Sequence, residues 1–162
     1  MSKTTFTAET GKYEIVMTRT FDAPREQVFA VYTDPKAIPN WWGPSWLTTT
    51  IDKFEPRQGG VWRFVQRDKA GNEYGFHGVH HEITAPARMV RTFEFEGMPG
   101  HVLLETVTFE DVGGKTRIVA QSVFQSIEAR DGMVQSGAEF RSSRELGSLE
   151  RSALRLSIRK RS

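Results

Sequence analysis

Residues 59–82, GGVWRFVQRDKAGNEYGFHGVHHE, contain two runs rich in β-branched and aromatic residues on either side of one short break. In the break, Gly71 takes the left-handed position of a three-residue hairpin loop, so residues 59–67 and 73–82 are predicted to pair as antiparallel strands. The loop also determines the register. Across the hairpin it pairs Phe64 with Phe76, Trp62 with Gly78, Arg63 with His77, and Arg67 with Glu73.

Alternation along the strands divides this hairpin into two faces. One face is apolar except for one histidine and carries Trp62, Phe64, Phe76 and His80. The other face is polar and carries Arg63, Arg67, Glu73, His77 and His81. A four-residue loop at 84–87 extends the register to the next strand. Phe93 and Phe95 then join the apolar face. His80 lies opposite Arg91. We expect the apolar face to line the core or a cavity.

The remaining chain supplies one strand and two helices before this hairpin, and further strands after it. Residues 13–21 are rich in β-branched and aromatic types and predict a first strand. Apolar spacing after Pro24 predicts a helix that ends at Thr33, and a second, short helix is predicted over 36–42. From 47 to 124, strands alternate with breaks that contain glycine, proline or aspartate, which is typical of an antiparallel meander.

The chain changes to a helical period at about residue 130. One helical face then carries Leu146, Leu149, Ala153 and Leu156. Gly137 and Gly147 weaken this helix by ~1 kcal/mol each relative to alanine. Because an antiparallel sheet needs one face covered, the order β-α-α-β6-α predicts an α+β fold, a curved antiparallel sheet wrapped around a long C-terminal helix. We expect one domain over 1–162, with residues 1–12 loosely ordered.

The composition excludes several kinds of site. The chain has no cysteine, so disulfides, a thiolate nucleophile and cysteine-ligated zinc are ruled out. His77 and His81 share a face but lie two pleats apart, and His80 points to the other face, so we predict no metal site and no cofactor. There is no Gly-x-Ser-x-Gly motif, and the Gly-Gly pairs lie at turns and strand entries rather than before helices.

The formal net charge of +2 is unevenly distributed along the chain. Basic residues dominate 141–162, which would suit an anionic partner, but no aromatic interleaving or groove-reading motif accompanies them. We therefore interpret them as the solvated face of a helix and expect neither nucleic acid nor a membrane surface as a partner. Because no apolar run resembles a secretory signal or could span a membrane, we expect a cytoplasmic protein.

Several polar and aromatic residues are candidates for a site. His80 and Arg91 pair with each other or with a ligand, or else lie in water at the open end of the sheet. Glu105 is a general base if it is buried in a cavity, and otherwise a cross-strand ion-pair partner. We expect one of the two adjacent tryptophans, Trp41 and Trp42, to pack beneath the helices and the other to lie at the mouth of the cavity, unless both are core residues. The predicted cavity residues are Trp42, Trp62, Phe64, Phe76, His80, Arg91, Phe93 and Phe95.

Several short strings follow one another in fixed order from about residue 13 to residue 139. They include Phe21-Asp-Ala-Pro24, Tyr32-Thr-Asp-Pro35, Trp41-Trp-Gly-Pro44, Gly59-Gly-x-Trp62-x-Phe64, Thr92-Phe-Glu-Phe95 and Asp131-Gly-Met133. Together they resemble the family named after the activator of the heat-shock protein 90 ATPase, in the START-related (SRPBCC) superfamily. The resemblance implies the helix-grip fold of the birch pollen allergen, with a hydrophobic cavity between sheet and helix. Relatives include lipid and steroid carriers, polyketide cyclases and the co-chaperone itself.

Three functions are compatible with these observations. The first is binding of a small, mainly hydrophobic or aromatic molecule, which we rank above catalysis because no catalytic motif is present. The second is a cyclase- or hydratase-type enzyme with His80, Arg91 or Glu105 as acid–base groups. The third is a protein partner, heat-shock protein 90. We expect no stimulation of its ATPase, because the co-chaperone also relies on a separate N-terminal domain that this sequence does not contain.

Overall fold

The computed structural model describes residues 4–161, with side chains as far as residue 156. The strands of this part of the chain are β1 (Thr5–Thr7), β2 (Glu14–Phe21), β3 (Thr48–Phe54), β4 (Val61–Arg67), β5 (Glu73–Thr84), β6 (Arg88–Phe95), β7 (Val102–Val112) and β8 (Lys115–Val123). The α-helices are α1 (Arg25–Tyr32), α2 (Ile127–Gln135) and α3 (Ala138–Arg161). No helix within residues 4–161 is long and apolar enough to cross a membrane.

All of these strands form one antiparallel sheet in the order β1-β2-β8-β7-β6-β5-β4-β3. Strands β3 to β8 form a meander, in which each strand pairs with the next one along the chain. Strand β2 then pairs with β8. Leu149 and Ala153 of α3 are fully buried in the same core as Phe21 and Ile118 of the sheet. These observations confirm the predicted α+β fold, a helix-grip arrangement in which α3 packs on one face of the curved sheet, here called the inner face.

The register predicted for the central hairpin is confirmed. Strands β4 and β5 pair Trp62 with Gly78, Phe64 with Phe76, Arg63 with His77, and Arg67 with Glu73. On the outer face, Arg63 donates to Glu96 through Nε (2.8 Å) and Nη2 (2.9 Å), and His77 Nδ1 lies 2.9 Å from the same carboxylate. The polar side of this hairpin is therefore an ion-pair network, as the alternation of its residues predicts.

His80 lies opposite Arg91 as predicted, although the hairpin between them differs from the prediction. Thr84 pairs with Arg88, so the loop has three residues rather than the four expected at 84–87. A β-bulge between His80 and Glu82 adds one residue to β5. The extra residue compensates for the shorter loop and restores the predicted facing pair.

The first residues of the described chain are more ordered than we expected for 1–12. Residues 5–7 form β1, which pairs with residues 16–18 of β2 at the edge of the sheet. Arg19 Nη1 also donates to the hydroxyl of Thr4, 3.0 Å away. The sequence did not indicate this strand, because a three-residue edge strand is too short to show a period. Residues 1–3 lie outside the described residues.

The long C-terminal helix predicted from about residue 130 is two helices. α2 begins at Ile127, where Ser126 Oγ caps the helix by accepting from the N–H of Ala129 (3.0 Å). Gly137, at φ +91°, then breaks the helix before α3. The break occurs at one of the two glycines that weaken the helical pattern, because glycine adopts this left-handed conformation without strain.

The short second helix predicted over 36–42 is a 3₁₀ turn, Ile38–Asn40. Pro39 has no N–H group for an α-helical hydrogen bond, so the sequence limits it to about one turn, as the structure shows. Beyond it, Trp41 packs against Tyr32 of α1, with ring centroids 4.9 Å apart. Its neighbour Trp42 points to the inner face of the sheet. The turn therefore places the two tryptophans in different environments.

Candidate ligand-binding site

The ring of Trp42 lies at the centre of an aromatic cluster on the inner face. It meets the rings of Phe64 and Phe76 edge-on, with centroids 5.0 and 5.3 Å away. Trp62 and Phe93 lie slightly farther off, at 6.3 and 6.5 Å. These distances are within the range of favourable aromatic pairs. Trp42 therefore covers the centre of the hairpin and separates it from the space below α3.

The main chain around Trp42 is held from two directions. The Thr49 hydroxyl donates to the Trp42 carbonyl (3.2 Å), and the N–H of Gly43 donates to Oε2 of Glu145 on α3 (2.9 Å). Gly43 has φ +81°, and a Cβ on it would lie 1.7 Å from Nε2 of Gln66. The left-handed φ favours glycine at this position, and the hydrogen bond from Gly43 to Glu145 ties the Trp-Trp-Gly string to α3.

A cavity of about 380 Å³, here called the α3 cavity, lies between the inner face and α3. Most of its lining is apolar and includes Met17, Trp42, Phe76, Phe93, Leu103 and Met133. A second cavity of about 490 Å³, the α2 cavity, adjoins it and shares Phe93, Phe95, Leu103, Phe124 and Met133. Volumes of about 300–1,000 Å³ are typical of sites for small molecules. The two cavities form one apolar cleft of that size.

Two carboxylates, Glu105 of β7 and Glu145 of α3, give the α3 cavity a polar end. Glu105 Oε1 accepts from Nε of Arg91 (2.9 Å), and the buried Arg91 guanidinium lies 4.4 Å from the ring centroid of Trp62. Burial raises the pKa of Glu145 to about 7, and the charge of Glu105 acts in the same direction against the hydrogen bond from Gly43. At neutral pH Glu145 is therefore divided between its protonated and ionised forms.

His80 does not line either cavity. It is fully buried, edge-on to Phe54 at 5.5 Å, and neither ring nitrogen has a hydrogen-bond partner within the part of the chain described. Burial, together with the positive charge of Arg91, lowers the pKa of His80 to about 4. The imidazole is therefore neutral at neutral pH and packs as a core ring.

The structure brings half of the predicted site residues to the α3 cavity: Trp42, Phe76, Phe93 and Phe95. The others are at most 4% exposed: Trp62, Phe64, His80 and Arg91. The ring of Trp42 packs on Trp62 and Phe64 and separates them from the cavity, whereas His80 packs against Phe54 and Arg91 reaches the cavity only through its partner Glu105. Trp62 and Phe64 form the floor on which Trp42 packs.

Sequence reasoning missed most of the polar lining of the α3 cavity, including Glu145 and Arg141, and most of the wall outside the hairpin. Glu145 gave a signal, because it lies one turn before Leu149 on the apolar face of α3, where a carboxylate is unexpected. Leu103 gave none, because the strands beyond residue 100 carry apolar residues on both faces, and Met17 lies on a first strand whose faces were not assigned. Met133 was assigned to the long helix that the structure divides.

Comparison with known proteins adds the evolutionary context. The family model described as Activator of Hsp90 ATPase homolog 1-like protein matches residues 22–151. A crystal structure from Rhodobacter sphaeroides has 23% identity over 96% of this chain and 99% of that chain, with a TM-score of 0.85. A solution structure from Arthrobacter aurescens has 22% identity over 93% of this chain and 91% of that chain, also with a TM-score of 0.85. One from Staphylococcus epidermidis has 25% identity, coverage of 92% and 94%, and a TM-score of 0.79. No curated protein matches the sequence.

Proposed function

The chain belongs to the family of activator of Hsp90 ATPase homolog 1-like proteins, and we propose that it binds one small, mainly hydrophobic or aromatic molecule in the α3 cavity. The observation that carries this proposal is the unfilled apolar volume between the sheet and α3. A cleft of hundreds of cubic ångströms with aromatic walls has the size and character typical of sites for small apolar molecules.

The cavity wall suits a flat or aromatic ligand. Phe76 and Phe93 are only partly buried by the protein itself, and their ring centroids lie 5.6 Å apart. A ligand ring can pack against both and against the edge of Trp42. Removing about 200 Å² of ligand surface from water would contribute about 5 kcal/mol before the costs of association.

The test of the proposal is a titration with the uncharged fluorophore N-phenyl-1-naphthylamine, whose emission rises in apolar surroundings. We expect saturable binding of one probe per protein chain, reversed by an excess of a non-fluorescent apolar competitor. Emission that stays at the level of the free probe, or rises without saturation, would contradict ligand binding in the cleft.

Acid–base catalysis of the cyclase or hydratase type is a second candidate, favoured by the raised pKa of Glu145 beside Glu105 in one cavity. His80 does not line the cavity, and Nε of Arg91 is engaged by Glu105, so the two carboxylates would carry the proton transfers. Turnover of a cyclisable polyketide-type substrate should then be lost in Glu145→Gln. Turnover that is unchanged in both Glu145→Gln and Glu105→Gln would dismiss this candidate.

An interaction with heat-shock protein 90, suggested by the family's name, is the third alternative. The proposed site lies between the sheet and its own helix, so it offers no surface to a protein partner. We therefore expect the ATPase rate of purified heat-shock protein 90 to be the same with and without this protein. A reproducible increase would make the protein partner the leading function.

A further inference from the structure

The two carboxylates at the polar end of the α3 cavity have different partners. Glu105 is paired with Arg91, whereas the hydrogen bond to Glu145 comes from the uncharged N–H of Gly43. Arg141 also lines the cavity, but its guanidinium donates to the carbonyl and the hydroxyl of Ser136, at the end of α2. Among the described residues, Glu145 therefore has no cation as a hydrogen-bond partner.

We propose that the cavity selects a cationic amphiphile, in which an aromatic or alkyl body lies against Trp42, Phe76 and Phe93 and an ammonium group lies at Glu105 and Glu145. This inference rests on the proposed function and names the ligand class for the same site. Either an aryl-alkyl amine or a longer alkyl amine has this chemistry, because both combine an apolar body with a compact cation.

An ammonium group fits the two carboxylates better than other polar heads do. Burying a carboxylate that has no cationic partner costs free energy, and an incoming cation removes that cost while donating hydrogen bonds to both acids. A neutral hydroxyl gains only a hydrogen bond, and an anionic head is repelled by Glu105.

The groups that face Glu145 also predict how binding changes with pH. They are the N–H of Gly43 before β3, Glu105 on β7, Arg91 on β6 and Tyr32 on α1. Burial holds the pKa of Glu145 at about 7, so this carboxyl loses its proton between about pH 6 and pH 8. The affinity for an amine should therefore rise over this interval, while the affinity for a neutral analogue should stay constant.

The experiment compares three naphthyl probes that differ only in the head group: 1-naphthylmethylamine, 1-naphthylmethanol and 1-naphthoic acid. Each is titrated calorimetrically and as a competitor of N-phenyl-1-naphthylamine at about pH 8. We expect the amine to bind at least about tenfold more tightly than the alcohol, and the acid to bind most weakly. In Glu145→Gln the preference for the amine should fall to about threefold or less, with alcohol binding retained.

Glu139→Gln is the matched control, because it makes the same charge change at an exposed position of α3. It should leave the preference for the amine unchanged. If amine and alcohol displace the fluorophore equally, or if neither displaces it, the proposal of a cationic ligand is overturned. The proposed binding of an apolar molecule in the cavity is not affected by that result. A wild-type protein that binds neither the fluorophore nor any naphthyl probe overturns the proposed function instead. The comparison of the three naphthyl probes on the unsubstituted protein tests the cationic ligand even if Glu145→Gln fails to fold.

Discussion

The indole Nε1–H of Trp62 on β4 donates to the main-chain carbonyl of Thr92 on β6, 3.1 Å away, although β5 lies between these strands. The indole ring of Trp62 can extend across β5 because Gly78, the residue of β5 that pairs with Trp62, has no side chain. The main-chain N–H of Val79 donates to the side-chain hydroxyl of the same residue, Thr92 (2.9 Å). The hydrogen bond from Trp62 to Thr92 fixes the Trp62 ring on the inner face, where Trp42 packs against it edge-on. One glycine therefore positions the ring on which Trp42 rests.

Gly78→Ala should therefore be strongly destabilising. The new Cβ would lie 1.9 Å from the Thr92 carbonyl oxygen and 2.6 Å from Nε1 of Trp62. Overpacking together with loss of the buried hydrogen bond should lower the free energy of unfolding by about 3 kcal/mol. Urea unfolding measures the change. Gly132→Ala is the control, because it meets no atom within 4 Å in α2 and should raise stability by up to ~1 kcal/mol. Similar effects of the two substitutions would refute the close contact.

The ion pair between Arg19 and Glu150 should anchor α3 to the sheet. Arg19 donates to Glu150 Oε1 through Nε (3.2 Å) and Nη2 (3.0 Å), and the N–H of Asp22 donates to Oε2 (3.1 Å). The two side chains are only 16% and 9% exposed. Because Glu150→Ala leaves a mostly buried guanidinium without its carboxylate, it should cost about 3 kcal/mol in urea unfolding.

The exposed pair of Arg67 and Glu73 on the central hairpin provides the control for that measurement. Its side chains are 61% and 53% exposed, so Glu73→Ala should cost less than about 1 kcal/mol. Equal losses in Glu73→Ala and Glu150→Ala would mean that the buried pair does not hold the helix.

His80 should make the protein less stable in acid. Its pKa is lowered to about 4 in the folded state by burial and by Arg91, so protons bind preferentially to the unfolded chain as the pH falls from about 6.5 to 4. Between pH 7 and pH 5 this should remove on the order of 1–2 kcal/mol of the unfolding free energy, after allowance for screening.

His80→Leu should abolish that part of the pH dependence, measured by urea unfolding at about pH 7 and about pH 5. At neutral pH the change should be small or stabilising, because it removes two buried nitrogens without partners. The exposed His81 is the control, and His81→Leu should keep the acid-dependent loss. An unchanged slope in His80→Leu would show that another group titrates.

The topology and the central register were predictable from the sequence because local chemistry determines them. Gly71 limits the turn to one loop type, and alternation then places Trp62, Phe64 and Phe76 on one face. The edge strand β1 was not predictable, since three residues carry no period. The bulge after His80 was not predictable either, because its effect on the register cancels that of the shorter loop.

The candidate site was only partly predictable, because a cavity depends on what covers a face. The pattern places Trp62 and Phe93 on the same surface, yet only Phe93 meets the cavity, since the ring of Trp42 covers Trp62. The position of Trp42 follows from the hydrogen bond between Gly43 and Glu145, two residues 102 positions apart in the chain. No local pattern predicts such a contact, although Glu145 on an apolar helical face marks it as unusual.

The most direct test of ligand binding in the cleft uses two neighbouring leucines of β7. Leu103 lines both cavities, whereas Leu104 is exposed on the opposite face of the sheet. Titration with N-phenyl-1-naphthylamine should show at least about tenfold weaker binding to Leu103→Arg, because a buried cation in an apolar wall is costly. Binding to Leu104→Arg should equal that of the unsubstituted protein. If Leu103→Arg binds the probe as tightly as Leu104→Arg does, the ligand does not enter the space between sheet and helix.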